Sequence, residues 1–326
     1  MMVNVLADEI ESNDKDITGT SFKKEEHLEP VSMDKKIETS TETSNPESID
    51  TKNEIKDNNL KIENKPIVNS DVKSVDEKVK DSKIIDIKDI NLKRAINKQL
   101  RKKDLDADIS KSELESLKRL TVIDSKISDL EGLQYCVNLT YLYLDGDKIS
   151  DISPIKNLSK LTILTLTNNQ ISDIAPLSNL TKLIVLHLAN NQISDITPLD
   201  KLTKLGILDL SFNKISNITP LVNFNHLSYL QLDNQNIKLK SKKVKQLGSI
   251  EIDDIIVDEK GNKIELSNIS ENGLYNKDTN KILWKDINVN SENYSFSKNV
   301  NIGKCNAEFP GNVIQPIELI VNKYQQ

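Results

Sequence analysis

Leucine and isoleucine residues recur along the middle of the chain with a fixed period of 22 residues. The first leucines of the six copies are Leu117, Leu139, Leu161, Leu183, Leu205 and Leu227. Within one copy the positions follow the pattern L-x-x-L-x-L-x-x-N-x-I-x-x-I-x-x-L-x-x-L, which is complete from Leu161 to Leu180. A constant period with this many fixed apolar positions predicts a stack of six short structural repeats.

The spacing within a repeat predicts its local structure. Leu164 and Leu166 are two residues apart, so both point to one side of a short strand and pack against neighbouring repeats. Asn169 follows the strand, where a buried amide can bond to turning backbone. The return segment, for example Asp173 to Pro176, has room only for a tight 3-10 turn begun by proline. We therefore predict a leucine-rich repeat solenoid with a parallel β-sheet on its concave face and 3-10 turns on its convex face.

The strand residues that alternate with the framework leucines point away from the core. We call them the outer sheet face: Ile163, Thr165 and Thr167 in the third repeat, and their equivalents in the others. We expect this face to bind a partner and its residues to have no packing function. Tyrosines are frequent anchors of protein interfaces, although cross-strand tyrosines also stabilise sheets. Phe212 is also a candidate, because it is an aromatic residue where other repeats have glycine or asparagine. The candidate partner-binding residues are Tyr141, Tyr143, Asp145, Thr165, His187, Asp209, Phe212, Tyr229, Gln231 and Asp233.

The segment before the repeats has two parts. The part from Asp8 to Val79 is rich in charged and small polar residues, which predicts disorder. The stretch from Met1 to Ala7 ends like a signal-peptidase site, so we interpret this stretch as the remnant of a signal peptide. An amphipathic helix is predicted between Asp89 and Lys103. A second, short helix should begin at Ser110, which forms a capping box with Glu113. Together these helices are expected to cap the first repeat.

After the repeats the period ends and short alternating runs predict a small β-sandwich. Turn signals such as Asn272-Gly273 separate the runs. Trp284 lies on one of them, and we expect it to pack in the core. The predicted strands are Ile250 to Val257, Lys281 to Val289, Tyr294 to Phe296, Val300 to Ile302 and Phe309 to Ile317.

Composition and motifs narrow the possible functions. The net charge of -6 comes from interspersed lysines and acids, so nucleic acid is not expected as a partner, and no apolar stretch reaches the roughly 20 residues that span a bilayer. Cys136 and Cys305 form neither a disulfide framework nor a zinc motif, and the three histidines lack the partners of a catalytic motif. Asp145 and Asp147 lack the further ligands of a calcium loop. We predict a binding protein that is not an enzyme and has no cofactor or metal.

The chain resembles the internalin family of bacterial surface and secreted proteins from Ile84 to Ile317. The motif N-x-I-S-D-I-x-P-L occurs from Asn169 to Leu177 and from Asn191 to Leu199. The run from Leu92 to Ile96 resembles the helical cap of that family, and the run from Phe309 to Ile317 resembles its immunoglobulin-like domain. The resemblance implies that cap, solenoid and sandwich form one unit whose concave face binds a protein.

The resemblance also implies a role and a location. It implies an adhesin or virulence-type factor, secreted or at the cell surface, that recognises a host or cell-surface protein. We expect the chain to be a monomer. The chain departs from the family in its polar extension, its incomplete or absent export signal and its lack of a sorting motif after the sandwich. An intracellular scaffold or regulator of another protein is therefore the alternative. The predicted domains are a polar tail at 1–83, a helical cap at 84–116, six repeats at 117–238 and an immunoglobulin-like sandwich at 239–326.

Overall fold

The structure is a computed structural model, and it describes residues 83–320. The predicted disorder of the polar tail and the interpretation of residues 1–7 as a signal remnant lie outside the described residues. Within 83–320, no helix is long and apolar enough to cross a membrane.

Two helices and a short strand pair precede the first repeat. In chain order they are β1 (Ile84–Ile85), α1 (Ile90–Gln99), β2 (Ile109–Ser110) and α2 (Lys111–Ser116), and β1 pairs antiparallel with β2. Helix α1 begins where the Asp89 carboxylate accepts hydrogen bonds from the amides of Asn91 and Leu92. Helix α2 begins with the predicted capping box of Ser110 and Glu113. Both helices therefore form where the sequence predicts them.

Asp89 also joins the helical segment to the first repeat. Its second carboxylate oxygen accepts hydrogen bonds from the amides of Ser128, at 2.9 Å, and Asp129, at 3.2 Å. Burial opposes the charged carboxylate, but four backbone amides outweigh burial and hold the pKa of Asp89 below its usual range. Leu92 and Ile96 of α1 are fully buried in the core that the repeats share.

The six repeats form one parallel sheet in sequence order. Its strands are β3 (Arg119–Ile123), β4 (Tyr141–Asp145), β5 (Ile163–Thr165), β6 (Val185–His187), β7 (Ile207–Asp209) and β8 (Tyr229–Gln231). Residues 22 apart lie side by side, so Leu120 pairs with Leu142 and Leu142 with Leu164. The inward leucines of all six strands are buried. This sheet confirms the predicted leucine-rich repeat solenoid.

The segments that connect β3 to β8 contain the predicted 3-10 turns. The turns span Leu133–Tyr135, Ser153–Ile155, Ala175–Leu177, Thr197–Leu199 and Thr219–Leu221. Proline stands at the first positions of the last four, where its missing amide hydrogen costs no bond. Just before one turn, the Asp173 carboxylate accepts a hydrogen bond from the Ala175 amide at 2.8 Å, which fixes the entry of the chain.

A buried polar side chain follows each strand from β4 to β8 and joins consecutive repeats. The Asn169 amide donates to Leu144 O at 2.7 Å, and its oxygen accepts from Ile149 N at 3.0 Å. The equivalent contacts are made in the next three repeats by Asn191, Asn213 and Gln235, in that order. Asp147 fills this position in the second repeat and accepts from Ile127 N at 3.0 Å. These five residues, the amide ladder, are structural, as the sequence predicts.

Beyond the repeats lies the β-region, Gln235–Ile320. Its strands are β9 (Gln235–Lys238), β10 (Lys242–Lys245), β11 (Gly248–Asp253), β12 (Leu266–Ser267), β13 (Gly273–Asn276), β14 (Lys281–Ile287), β15 (Ser291–Phe296), β16 (Asn299–Ile302), β17 (Cys305–Glu308) and β18 (Gly311–Ile320). They form a five-stranded sheet around β18, a three-stranded sheet in the order β11-β14-β13, and the hairpin β16-β17. Trp284 is fully buried and donates to Ser270 Oγ at 3.0 Å, which confirms its core role.

The β-region is continuous with the last repeat. Strand β9 leaves the last repeat and pairs in parallel with β18. Gly303, between β16 and β17, lies against last-repeat backbone so closely that a Cβ atom would come within 2.5 Å of Phe224 O. The next amide, of Lys304, donates to Leu227 O at 2.8 Å. Backbone hydrogen bonds therefore cross the predicted boundary between residues 238 and 239.

Candidate protein-binding face

Half of the candidate residues form one row across the outer sheet face. Tyr143, Thr165, His187, Asp209 and Gln231 pair in register from β4 to β8. Neighbours in such a row are about 4.8 Å apart. The other candidates lie beside the row: Tyr141 and Asp145 on β4, Phe212 after β7, and Tyr229 and Asp233 on and after β8. The 22-residue period thus aligns the row and places the other five candidates on or after strands β4, β7 and β8 of the same sheet.

An arginine holds the two tyrosines of β4. The Arg119 guanidinium carbon lies 4.9 Å from the ring centroid of Tyr141 and 5.8 Å from that of Tyr143, within the range of cation–π attraction. Arg119 is not among the ten candidates, although the period places it beside Tyr141. Tyr143 is only 4% exposed and Thr165 only 1%. The expectation that outer positions have no packing function is therefore wrong for these two residues, because side chains on adjacent strands cover them.

Around the middle of the row, Thr165 is buried and bonded to Asp145, and His187 is half-buried. Asp145 accepts hydrogen bonds from Thr165 Oγ1 and from the Thr167 amide, both at 2.7 Å. Burial raises the pKa of Asp145 more than these bonds and nearby His187 lower it. Burial likewise lowers the pKa of His187, against the opposing pull of the Asp209 and Asp145 carboxylates. His187 is therefore a neutral donor and acceptor at neutral pH.

At the β7–β8 end the outer sheet face is accessible and acidic. Tyr229 is 44% exposed, and burial together with the negative charges of Asp209 and Asp233 raises its pKa. Asp209 Oδ1 accepts from the amide and hydroxyl of Ser211, at 3.0 and 2.6 Å, and Asp233 Oδ2 accepts from the Asn234 side chain at 2.6 Å. Among residues 83–320, these bonds engage one oxygen of each carboxylate. The Tyr229 ring therefore has two carboxylates nearby.

Phe212 stands at the edge of this accessible end in an unusual backbone conformation. Its φ is 53°, in the left-handed region, and its side chain is 54% exposed. The equivalent residues of the other repeats also have positive φ: Asp124, Gly146, Asn168, Asn190 and Asn234. Glycine, asparagine and aspartate tolerate this region, whereas a bulky side chain there costs roughly 1–2 kcal/mol. Phe212 thus combines backbone strain, which clusters at functional sites, with exposure of a large apolar ring.

The described residues hold little other chemistry. Between residues 83 and 320, no group of three or more His, Cys, Asp or Glu side chains is placed to hold a metal ion. Cys136 is buried, and burial raises the pKa of its thiol to about 12. Cys305 is half-buried with a raised pKa from the same cause. Thiols of this kind are poor nucleophiles because the reactive thiolate is scarce.

Two family models match the chain. The model for leucine-rich repeats (2 copies) matches residues 137–179, 159–201 and 181–223, which lie within the parallel sheet and its turns. The model described as LRR adjacent matches residues 261–318, most of the β-region. No curated protein matches the chain.

The solved structures similar to this chain include three from Listeria monocytogenes. Internalin inlF is 37% identical over 48% of this chain and 49% of its own, with a TM-score of 0.44, so the chain spans about half of that structure. Internalin C2 is 28% identical over 46% of this chain and 84% of its own, with a TM-score of 0.30. The functional domain of InlJ is 13% identical over 71% of this chain and 97% of its own, with a TM-score of 0.23.

Proposed function

We propose that this chain, an internalin-like leucine-rich repeat protein, binds another protein through the β7–β8 end of its outer sheet face. The observation that carries the proposal is the pair of exposed aromatic side chains, Phe212 and Tyr229. Aromatic residues account for much of the binding energy of protein interfaces because they bury a large rigid surface. Tyr143 and Thr165 are buried and pack within the row, so the proposed contact surface contains fewer residues than the ten candidates.

The polar surroundings define the partner that fits. Asp209 and Asp233 add negative charge near Tyr229, and His187 and Gln231 add neutral polar groups. A partner surface that presents a basic side chain beside an apolar one complements this arrangement, since opposite charges steer association and fix the docking register. The basic group would lie over the Tyr229 ring and meet both carboxylates.

We further propose the role that the internalin-like family implies. The chain would act as a monomeric, non-enzymatic adhesin or virulence-type factor, secreted or exposed on a bacterial surface, that recognises a host or cell-surface protein. Residues 84–116 would form its helical cap, 117–238 its repeats and 239–326 its immunoglobulin-like domain. Fractionating the producing cells into medium, surface and cytosol tests the location, and a chain confined to the cytosol would favour the intracellular scaffold instead.

The binding proposal is tested with four immobilised baits made from the full chain: the unaltered protein, Phe212→Asn, Tyr229→Ala and Val222→Ala. Val222 is the matched control because it is 50% exposed and follows a 3-10 turn, away from the sheet. We expect a partner protein that the unaltered and Val222→Ala baits retain and that the other two baits lose. A partner retained equally by all four baits would place the binding site elsewhere.

A further inference from the structure

A second candidate binding site lies between helix α1 and strand β3, at the opposite end of the sheet from Phe212 and Tyr229. It is an open groove of about 550 Å3, within the size range of clefts that hold small ligands. Helix α1 and the turn after it form one wall, and β3 forms the other. We call it the α1–β3 groove; its lining includes Arg94, Lys98, Arg101, Leu105 and Ile123.

The cations around the groove divide into paired and unpaired groups. Arg94 makes two hydrogen bonds to the Asp106 carboxylate, at 2.7 and 3.0 Å, so its charge is neutralised locally. Lys93 and Lys102, outside the groove, likewise form ion pairs with neighbouring carboxylates. Within residues 83–320, Lys98 and Arg101 form no ion pair, and both are exposed. Two positive charges therefore stand at the groove without a compensating carboxylate.

Apolar side chains stand beside these charges. Leu105 is 39% exposed and Ile123 is 50% exposed, and both line the groove. Asp124 follows Ile123, but its carboxylate is turned over Gly146, where its Oδ1 lies 1.8 Å from the place a Cβ atom would take. The groove thus offers uncompensated positive charge next to accessible apolar surface.

We propose that the α1–β3 groove binds an acidic peptide segment that carries aliphatic side chains. Its carboxylates would pair with Lys98 and Arg101, and an aliphatic side chain would cover Leu105 and Ile123. A nucleic acid fits less well, because a polyanion gains affinity by neutralising many phosphates and only two cations here are unpaired. The groove is a site of its own, separate from the surface around Tyr229, and the two ends of the sheet favour ligands of opposite charge.

The test measures fluorescence anisotropy of a labelled peptide of repeating Glu-Glu-Leu with the full chain. Peptides of repeating Gln-Gln-Leu and Lys-Lys-Leu, and a single-stranded DNA of the same net charge, serve as comparison probes. We expect saturable binding of the Glu-Glu-Leu peptide, weaker binding of the other three, and a loss of affinity as salt increases. The double variant Lys98→Glu/Arg101→Glu should weaken binding of the acidic peptide at least about tenfold. The reason is that two surface ion pairs are lost and replaced by charge repulsion.

Matched variants separate the groove from general charge effects. Lys182→Glu/Lys201→Glu changes two exposed lysines of the middle repeats by the same charge and should leave affinity unchanged. Ile123→Ser should weaken binding without altering net charge, and Phe212→Asn should have no effect. Circular dichroism checks the folding of each variant. If the charge-reversal variant Lys98→Glu/Arg101→Glu is unfolded, the charge-neutral variant Lys98→Gln/Arg101→Gln replaces it. The proposal is overturned if the acidic peptide does not bind, if DNA binds more tightly, or if the Lys98 and Arg101 variants bind like the control.

Discussion

Replacing Phe212 by asparagine should separate binding from stability. Asparagine is the residue at the equivalent positions Asn168, Asn190 and Asn234, all of which have the same left-handed backbone. It tolerates positive φ better than phenylalanine, so the substitution relieves roughly 1 kcal/mol of backbone strain. It can also join the side-chain bond that Asn190 already donates to Asn168 at 2.7 Å, which contributes about 0.5 kcal/mol at an exposed site.

The loss of packing works against this gain. Because Phe212 is 54% exposed, roughly 90 Å2 of its ring is buried, which stabilises the fold by about 2 kcal/mol as an upper limit. The two effects offset, and we expect the free energy of unfolding to change by less than about 1 kcal/mol. Phe212→Ala loses the packing and keeps a Cβ atom at positive φ, so it should destabilise the protein by about 2 kcal/mol.

Urea unfolding of the three proteins measures these differences, and calorimetric titration with the captured partner measures affinity. A residue that anchors an interface costs about 2 kcal/mol or more when removed, so Phe212→Asn should weaken binding about thirtyfold or more. Full affinity in Phe212→Asn would refute the role of Phe212 as an anchor. A loss of stability in Phe212→Asn as large as in Phe212→Ala would refute the argument from backbone strain.

Two further predictions concern the sheet and its ladder. Asn191→Ala should lower the free energy of unfolding by at least about 2 kcal/mol, mainly because the buried Ile171 amide loses its acceptor at 3.0 Å. Urea unfolding measures this loss against the control Gln170→Ala, which changes an exposed residue. An equal loss of stability in the two variants would contradict the prediction. His187 has a folded-state pKa lowered by burial, so its stabilising contribution is present above about pH 6.5 and is lost as pH falls through the folded pKa. Between about pH 7.5 and about pH 5, the free energy of unfolding should therefore decrease less in His187→Gln than in the unaltered protein. An identical decrease in both proteins would rule out this role of His187.

The sequence predicts the repeat architecture well because each element is determined within one 22-residue repeat. The capping box of Ser110 and Glu113 and the proline of each 3-10 turn act over a few residues, and the inward leucines follow a strict alternation. The 22-residue period places Asp147 at the position of Asn169, and its bond to Ile127 N shows that it makes the same kind of contact. Short-range causes of this kind are visible in the order of residues.

Burial on the outer sheet face could not be predicted in the same way. Exposure there depends on the size and direction of side chains on adjacent strands, and Tyr143 is covered because Arg119 and Thr165 flank it. The strain at Phe212 was accessible from sequence, since glycine and asparagine at the equivalent positions indicate positive φ. Phe212 has a φ of 53°, like its equivalents in the other repeats.

The strand pairing within the β-region has no local signal either. Strand β10, Lys242–Lys245, has three lysines and one valine, which is a weak alternation for a strand. It forms because it pairs in parallel with β18, more than 70 residues later in the chain. Contacts at this sequence separation depend on the completed fold.

The amide ladder has a consequence for how this protein can change in length. Asn191 bonds to the preceding repeat through the same backbone atoms that Asn169 uses one repeat earlier. An inserted copy of 22 residues in the middle of the sheet would therefore meet matching partners at both of its borders, and it would add one strand, about 4.8 Å, between the two ends. Asp89 and Gly303, whose contacts occur only once, would keep their neighbours. Gene duplication could thus adjust the distance between the Tyr229 surface and the α1–β3 groove in whole-repeat steps while leaving each of them intact.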